Sequence, residues 1–238
     1  LTYSQLVIST GVTTDYSVIK DLKKHAYGFS SFNDLLRIKE LITKINNSLE
    51  YKNPLVISGA GPTGVELACK ISDLVNNKLT IYLVEKGDKI LAKSKSFNRD
   101  KSEAAIENRN IKVYLKHYIT SVDEKSLELS ANDNKSNESH KINYSGLIWT
   151  AGLKPSSLDF LNNFLGEYEK VKVNEYLQME DYKDIFFAGD ITFNDRNNCP
   201  SSAQVAMQQG LVVAQNIISL RKGNKLKSFE FEDLGEML

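Results

Sequence analysis

Leu55-Val56-Ile57-Ser58-Gly59-Ala60-Gly61-Pro62-Thr63-Gly64-Val65-Glu66-Leu67-Ala68 reads as an apolar strand, a glycine turn and the opening of a helix. A second apolar run, Leu79 to Val84, follows, and Glu85 closes it about 20 residues beyond the glycines. Each glycine has its own reason. The first permits the tight turn, the second lets a pyrophosphate approach the backbone, and the third lets helix and strand pack closely. Freed N–H groups at the helix start, backed by the positive end of the helix dipole, favour a phosphate. An acid at the end of the second strand accepts ribose hydroxyls and favours NAD over NADP. Lys86 weighs the other way, because a base at this point can hold a 2′-phosphate. Gly59, Gly61, Thr63, Gly64 and Glu85 are therefore the candidate NAD-binding residues.

Around this unit the composition is that of an ordinary globular chain. Its 238 residues are 41% hydrophobic and 25% charged, enough for one large or two small domains. Thirty basic residues balance thirty acidic ones, so there is no global positive field of the kind that recruits nucleic acid. No apolar run reaches the ~20 residues that cross a bilayer, and Leu1-Thr2-Tyr3-Ser4 resembles no export signal. Cys69 and Cys199 stand too far apart for a zinc pair or a redox dithiol, and Cys69 falls on the apolar face of the helix after the glycines. His25, His117 and His140 sit in polar contexts without metal-ligand spacing, so no metal site is expected.

Outward from the turn, the chain reads as an interrupted α/β domain. Tyr3 to Gly11 is a β-rich strand ending in glycine, and a polar stretch follows as far as Phe29. Ser31 with Asp34 predicts a capping box, and Leu35, Leu36, Ile38, Leu41, Ile42, Ile45 and Leu49 predict an amphipathic helix that Pro54 forces to stop. After Glu85 come a helix near Asp100–Glu107 and short strands at 111–114, 119–122 and 127–129; the polar run Asn132–His140 predicts a hairpin tip. Tyr144 to Gly152 repeats the opening pattern of an apolar strand that ends in glycine. Tyr168 to Val173 and Ile185 to Asp190 then read as strands, Ser202 to Leu220 as a long helix, and Phe229-Glu230-Phe231 as an alternating strand. The expected organisation is residues 1–50 as the end of a first segment plus a linking helix, 51–147 as an inserted Rossmann-like nucleotide domain, and 148–238 as the return to the first domain.

These residues resemble the two-dinucleotide flavoprotein oxidoreductases, in which an NAD domain is inserted into an FAD domain. Leu6 to Gly11 resembles the strand closing the first FAD segment, Trp149 to Gly152 the crossing back, and Phe187-Ala188-Gly189-Asp190 the second FAD signature. The resemblance implies FAD contacts at Thr10, Gly11, Gly152, Gly189 and Asp190; a carboxylate at a strand end can accept sugar-chain hydroxyls. Within that superfamily, Pro200 to Gly210 with Gly64-Val65-Glu66-Leu67-Ala68 and Phe229 to Gly235 resembles the type II NADH dehydrogenases, which reduce membrane quinones. That branch implies roles for Ala203, Gln204 and Gln208 where the quinone meets the flavin, and for Glu66 near the nicotinamide; Gln209 stands where relatives carry an acid. It also implies hydride transfer from NADH to FAD and onward to a quinone acceptor, a cytoplasmic protein peripheral to the inner face of a membrane, and a homodimer.

Two other readings share the motifs: a flavoprotein disulfide or rubredoxin-type reductase, and a sensor that binds NAD without turnover. The first FAD fingerprint expected ahead of Leu1 lies outside the 238 residues, as does a membrane-docking tail, so the chain is expected to be an inactive fragment that binds NADH and purifies colourless.

Overall fold

A computed structural model describes residues 2–48, 50–132, 139–156, 170–194 and 199–235. The end of the first helical pattern at Leu49, most of the expected hairpin tip and Tyr168 fall outside the described residues. The chain opens with β1 (Leu6–Ile8), β2 (Val12–Thr14), α1 (Leu22–His25), β3 (Ala26–Tyr27) and α2 (Phe32–Asn47). Next come β4 (Leu55–Ser58), α3 (Pro62–Leu74), β5 (Ile81–Glu85), α4 (Ser96–Glu107) and β6 (Ile111–Leu115). Then follow β7 (His117–Val122), β8 (Ser126–Ala131), β9 (Ser139–Asn143), β10 (Gly146–Trp149) and β11 (Leu153–Pro155). The last elements are β12 (Val171–Lys172), β13 (Ile185–Phe187), β14 (Thr192–Phe193) and α5 (Ala203–Arg221). The architecture is mixed α/β around parallel sheet, as expected from the sequence.

Two compact units share the chain: Thr14–Leu153 forms the middle one, and Leu1–Thr13 with Lys154–Gly235 forms the outer one. The middle unit holds a five-stranded parallel sheet in the order β3-β10-β4-β5-β6. Its strands are apolar on both faces, as a covered parallel sheet requires. Leu55, Ile57, Ile81, Leu83 and Ile148 join α2 and α3 through Ile38, Leu41, Ile45, Val65, Ala68 and Ile71. Val56, Val84, Leu147 and Trp149 point the opposite way, into a second core with Ile119, Leu127 and Leu129 of the antiparallel sheet β7-β8-β9. Strand alternation thus sorts one run of apolar residues into two cores. Helix α2, read from the sequence as a linking helix, packs here: a Cβ at Gly146 of β10 would come within 2.7 Å of Leu41 Cδ2.

The capping box forms as expected. Ser31 Oγ accepts from the Asp34 N–H at 3.2 Å, and Asp34 Oδ2 accepts from the Ser31 N–H at 3.0 Å. Ser31→Ala is expected to cost about 1 kcal/mol of stability, read by denaturant unfolding, because two N–H groups at the helix start lose their acceptors or their geometry.

In the outer unit β1 runs parallel to β13, with Leu6, Val7 and Ile8 opposite Ile185, Phe186 and Phe187; β12 pairs with β14. Phe186, Phe187, Ile191, Val205, Val212, Val213 and Phe229 form its core with Ile8 and Val171. One sequence expectation is corrected here. Phe229–Phe231 is not a strand. Its neighbourhood bonds to a helix and a loop instead of a ladder: the Phe229 N–H donates to the Glu175 carbonyl at 2.7 Å, and the flanking residues bond to amide side chains of α5. Alternation there records the burial of Phe229, at 2% exposure, rather than sheet pairing.

Candidate functional site

The glycine turn of the middle unit is held by bonds to β5, the residue after β10 and the loop after β5. Gly59 has φ +100° and donates its N–H to the Val84 carbonyl at 2.8 Å, tying the turn to β5. A Cβ on Gly64 would stand 1.8 Å from the Gly59 carbonyl oxygen, so α3 touches the turn that precedes it. Gly61 is different. It caps α3 in extended geometry, with Pro62 as the first helical residue, and nothing lies within 4 Å of where its Cβ would be. Proline suits that place because it has no N–H to leave unpaired. The space beside Gly61 lies where the first N–H groups of a helix have no partner within it. Gly59 thus supplies the left-handed turn, Gly64 the close approach of helix and turn, and Gly61 an open space at the helix start.

Glu85 ends β5 at the same turn. Its Oε2 accepts from the Ala60 N–H at 2.8 Å and its Oε1 from the Gly87 N–H at 2.7 Å, so the carboxylate is fixed by the backbone on either side. Each oxygen keeps a second lone pair for another donor. Sequence reasoning missed Thr150, whose hydroxyl is 2.8 Å from the Ser58 carbonyl and 3.1 Å from that of Gly59, locking β10 onto the turn. A threonine directly after an apolar strand was the available signal. It also missed Leu91, held at φ +48° while its N–H donates to the Ala60 carbonyl at 2.8 Å. Thr63 and Glu66 lie exposed on α3. Glu66 is the fifth helical residue, and no acid occupies the first turn of α3. Glu66 thus lies beyond the first turn, where an acid would stabilise the helix start.

In the outer unit a cavity of about 690 Å³ lies between the end of β1, the turn after β13 and one face of α5. Ser9, Gly11, Gly189, Asp190, Ala203 and Ala206 are among its lining residues. Gly11 and Gly189 adopt left-handed φ of +65° and +83°, which favours glycine at both corners. Of the expected contacts, Gly11, Gly189, Asp190 and Ala203 therefore come together. Thr10 is exposed between the lining residues Ser9 and Gly11, and Gly152 belongs to the middle unit, where its carbonyl accepts from the Asp15 N–H at 3.2 Å.

The glutamines of α5 have different partners. Gln208 Nε2 donates to the Glu232 carbonyl at 2.8 Å, and its Oε1 accepts the Glu232 N–H at 3.0 Å. Gln204 similarly grips Leu234 and Gly235 at 3.2 and 3.3 Å, and the buried Asn216 binds both backbone groups of Lys227. Neither Gln204 nor Gln208 lines the cavity. Their amides hold the segment 227–235 beside α5, because an amide offers a donor and an acceptor as a strand neighbour would.

Gln209, 5% exposed, also lies outside the lining but bonds to Gly189, which is part of it. Its Oε1 accepts the Gly189 N–H at 2.6 Å and its Nε2 donates to Thr192 Oγ1 at 3.2 Å, while that hydroxyl donates to the Gly189 carbonyl at 2.8 Å. The turn carrying Asp190 is closed by this ring of bonds. A polar residue in the buried stripe Val205, Gln209, Val212, Val213, Asn216 was the signal for it. Gln209→Leu leaves a buried N–H without a partner and is expected to cost about 1–3 kcal/mol, read by denaturant unfolding. No cluster of His, Cys, Asp and Glu able to hold a metal occurs among the described residues. Burial pushes the thiols of Cys69 and Cys199 up, away from the low values of reactive cysteines.

Comparison with known proteins gives concordant matches. Residues 1–210 match the family model described as pyridine nucleotide-disulphide oxidoreductase. A demethylphylloquinone reductase of Synechocystis is 29% identical over the whole chain, which spans 59% of that protein. A type II NADH:quinone oxidoreductase of Staphylococcus saprophyticus is 25% identical over 97% of the chain, which spans 61% of it. Among solved structures, NDH2 of Plasmodium falciparum in complex with NADH superposes with a TM-score of 0.73 at 26% identity, covering 82% of this chain and 45% of that one. The chain thus spans about three-fifths of the length of these curated relatives.

Proposed function

The chain belongs to the pyridine nucleotide-disulphide oxidoreductase family, and from that membership we propose that it serves an NADH:quinone oxidoreductase reaction with FAD as the second cofactor. The observation that carries the nucleotide half is the open space beside Gly61, flanked by the start of α3 and the fixed carboxylate of Glu85. Gly61 and the first turn of α3 would hold the NADH pyrophosphate, and Glu85 would accept ribose hydroxyls. Gly11, Gly189, Asp190 and Ala203 would hold FAD along the cavity of the outer unit; small residues and a helix start leave room for a flat, phosphate-bearing ligand. FAD, when bound, supplies two-electron chemistry between a nicotinamide and a quinone. The chain's own residues bind and orient, and Gln209 fixes the turn that aims Asp190. Glu66 is assigned to the nicotinamide end of the NADH site. Gln204 and Gln208 are assigned, as the family resemblance implies, to the place where the quinone meets the flavin, and they also hold the segment 227–235.

The middle unit is assigned as the NAD domain and the outer unit as the FAD domain. A quinone as acceptor accords with the names of the two curated relatives. Association with a membrane surface follows from a lipid-soluble acceptor; no helix among the described residues is long and apolar enough to cross a bilayer. Assembly as a homodimer is carried over from the same family branch.

The test is NADH oxidation by the full-length protein that carries this chain, supplied with FAD, with a soluble quinone and a disulfide offered in parallel. Electrons are expected to reach the quinone and not the disulfide. Reduction of the disulfide alone would place the chain with the thiol reductases, and NADH binding without any turnover would leave a sensor.

A further inference from the structure

The corner after Glu85 is pinned to the connection between β6 and β7. The Lys116 N–H donates to the Gly87 carbonyl at 2.8 Å, the Asn132 amide to the Lys86 carbonyl at 3.0 Å, and the Asn132 N–H to the Lys116 carbonyl at 2.6 Å. Lys116 is the single residue between the two strands and takes a left-handed φ of +54°. That tight link brings Tyr118, the second residue of β7, alongside Lys86. The Lys86 ammonium stands 5.6 Å from the centre of the Tyr118 ring, within the range of cation–π attraction. An acid held by two backbone N–H groups is thus followed at once by a base resting on an aromatic face.

The two charges have opposite consequences for a nucleotide. A free ribose 2′-hydroxyl can donate to the Glu85 carboxylate. A 2′-phosphate brings added negative charge, is repelled by that carboxylate and needs a cation close by. Lys86 is the cation adjacent in sequence, and its long stem gives it reach in more than one direction. Resting on Tyr118, it gains ring attraction that it would have to give up to meet a phosphate.

We propose that Tyr118 is a specificity-determining residue, which keeps the site selective for NADH by holding Lys86 away from the position a 2′-phosphate would take. The inference rests on the reading of the glycine turn as an NADH site. It goes beyond that reading by adding a residue that no glycine fingerprint contains.

Fluorescence titration with NADH and NADPH tests it, on the wild-type protein, Tyr118→Leu, Lys86→Ala and the double variant. Tyr118 is 38% exposed, so Leu is expected to leave the fold intact, and a melting curve checks this. Tyr118→Leu is expected to move the affinity ratio toward NADPH about threefold, equivalent to about 0.7 kcal/mol at 1.4 kcal/mol per tenfold. With Lys86→Ala in place, the Tyr118 substitution is expected to move nothing. An unchanged ratio in Tyr118→Leu overturns the proposal, and so does the same shift in the absence of Lys86. Wild-type protein that binds neither nucleotide would bring down the NADH reading itself, whereas tight NADH binding with an unmoved ratio removes only the role of Tyr118.

Discussion

Gly64→Ala is expected to destabilise the middle unit by about 3 kcal/mol or more, beyond the usual cost of overpacking a core. The added methyl would lie 1.8 Å from the Gly59 carbonyl oxygen and 2.9 Å from Thr150 Oγ1. Backbone is on one side and the hydroxyl that locks β10 is on the other, so neither neighbour can turn aside as a flexible side chain would. Relief requires α3 to lift from β4, and that separates Val65, Ala68 and Ile71 from Leu55 and Ile57 in the main core. Thermal unfolding should show a large fall in melting temperature and loss of NADH binding together. A variant as stable as the wild type would mean that the close approach of helix and turn does not exist in solution.

Gly61→Ala is expected to do the reverse, sparing the fold and removing the nucleotide. Its backbone has φ −72°, a value any residue adopts, and no atom lies within 4 Å of the new methyl. Alanine also has a smaller backbone entropy loss than glycine on folding, so the melting temperature should hold or rise slightly. The methyl would project into the space that a pyrophosphate needs to reach the N–H groups of α3. NADH affinity should fall at least about tenfold, which corresponds to about 1.4 kcal/mol, roughly the strength of one good hydrogen bond to a phosphate oxygen. Unchanged titration curves for Gly61→Ala would show that no phosphate approaches this turn. Together the two alanines separate packing from binding at positions three residues apart.

Local periodicity made the glycine unit legible in the sequence. Strand, turn, helix, second strand and acid lie within one short stretch, and their geometry depends on neighbours along the chain. The capping box of α2 was legible for the same reason. What remained hidden depended on partners far away in sequence. Thr150 meets Gly59 across 91 residues, and Gln209 meets Gly189 across 20, so neither partner could be inferred from spacing. Glu85 was found by spacing alone, yet its grip on Ala60 and Gly87 came only from the fold. The backbone partners of Gln204 and Gln208 were hidden for a related reason. An amide on a helix can face a ligand or a backbone with the same chemistry, and only the course of the last segment decides between them. The apparent strand at Phe229 failed because alternation reports which side chains are buried, not what the backbone bonds to.

The row of amides along α5 also sets a ruler. Four residues of helix advance about 6 Å, and two of extended chain about 6.6 Å, so side chains one turn apart can serve an extended neighbour almost in step. Gln208 at Glu232 and Gln204 at Leu234 use this near match. Side chains at positions 232 and 234 are therefore free to vary in kind, since only their main-chain atoms are read. The count of residues between them is not, because a single insertion would shift every later N–H and carbonyl by half the spacing that the helix enforces.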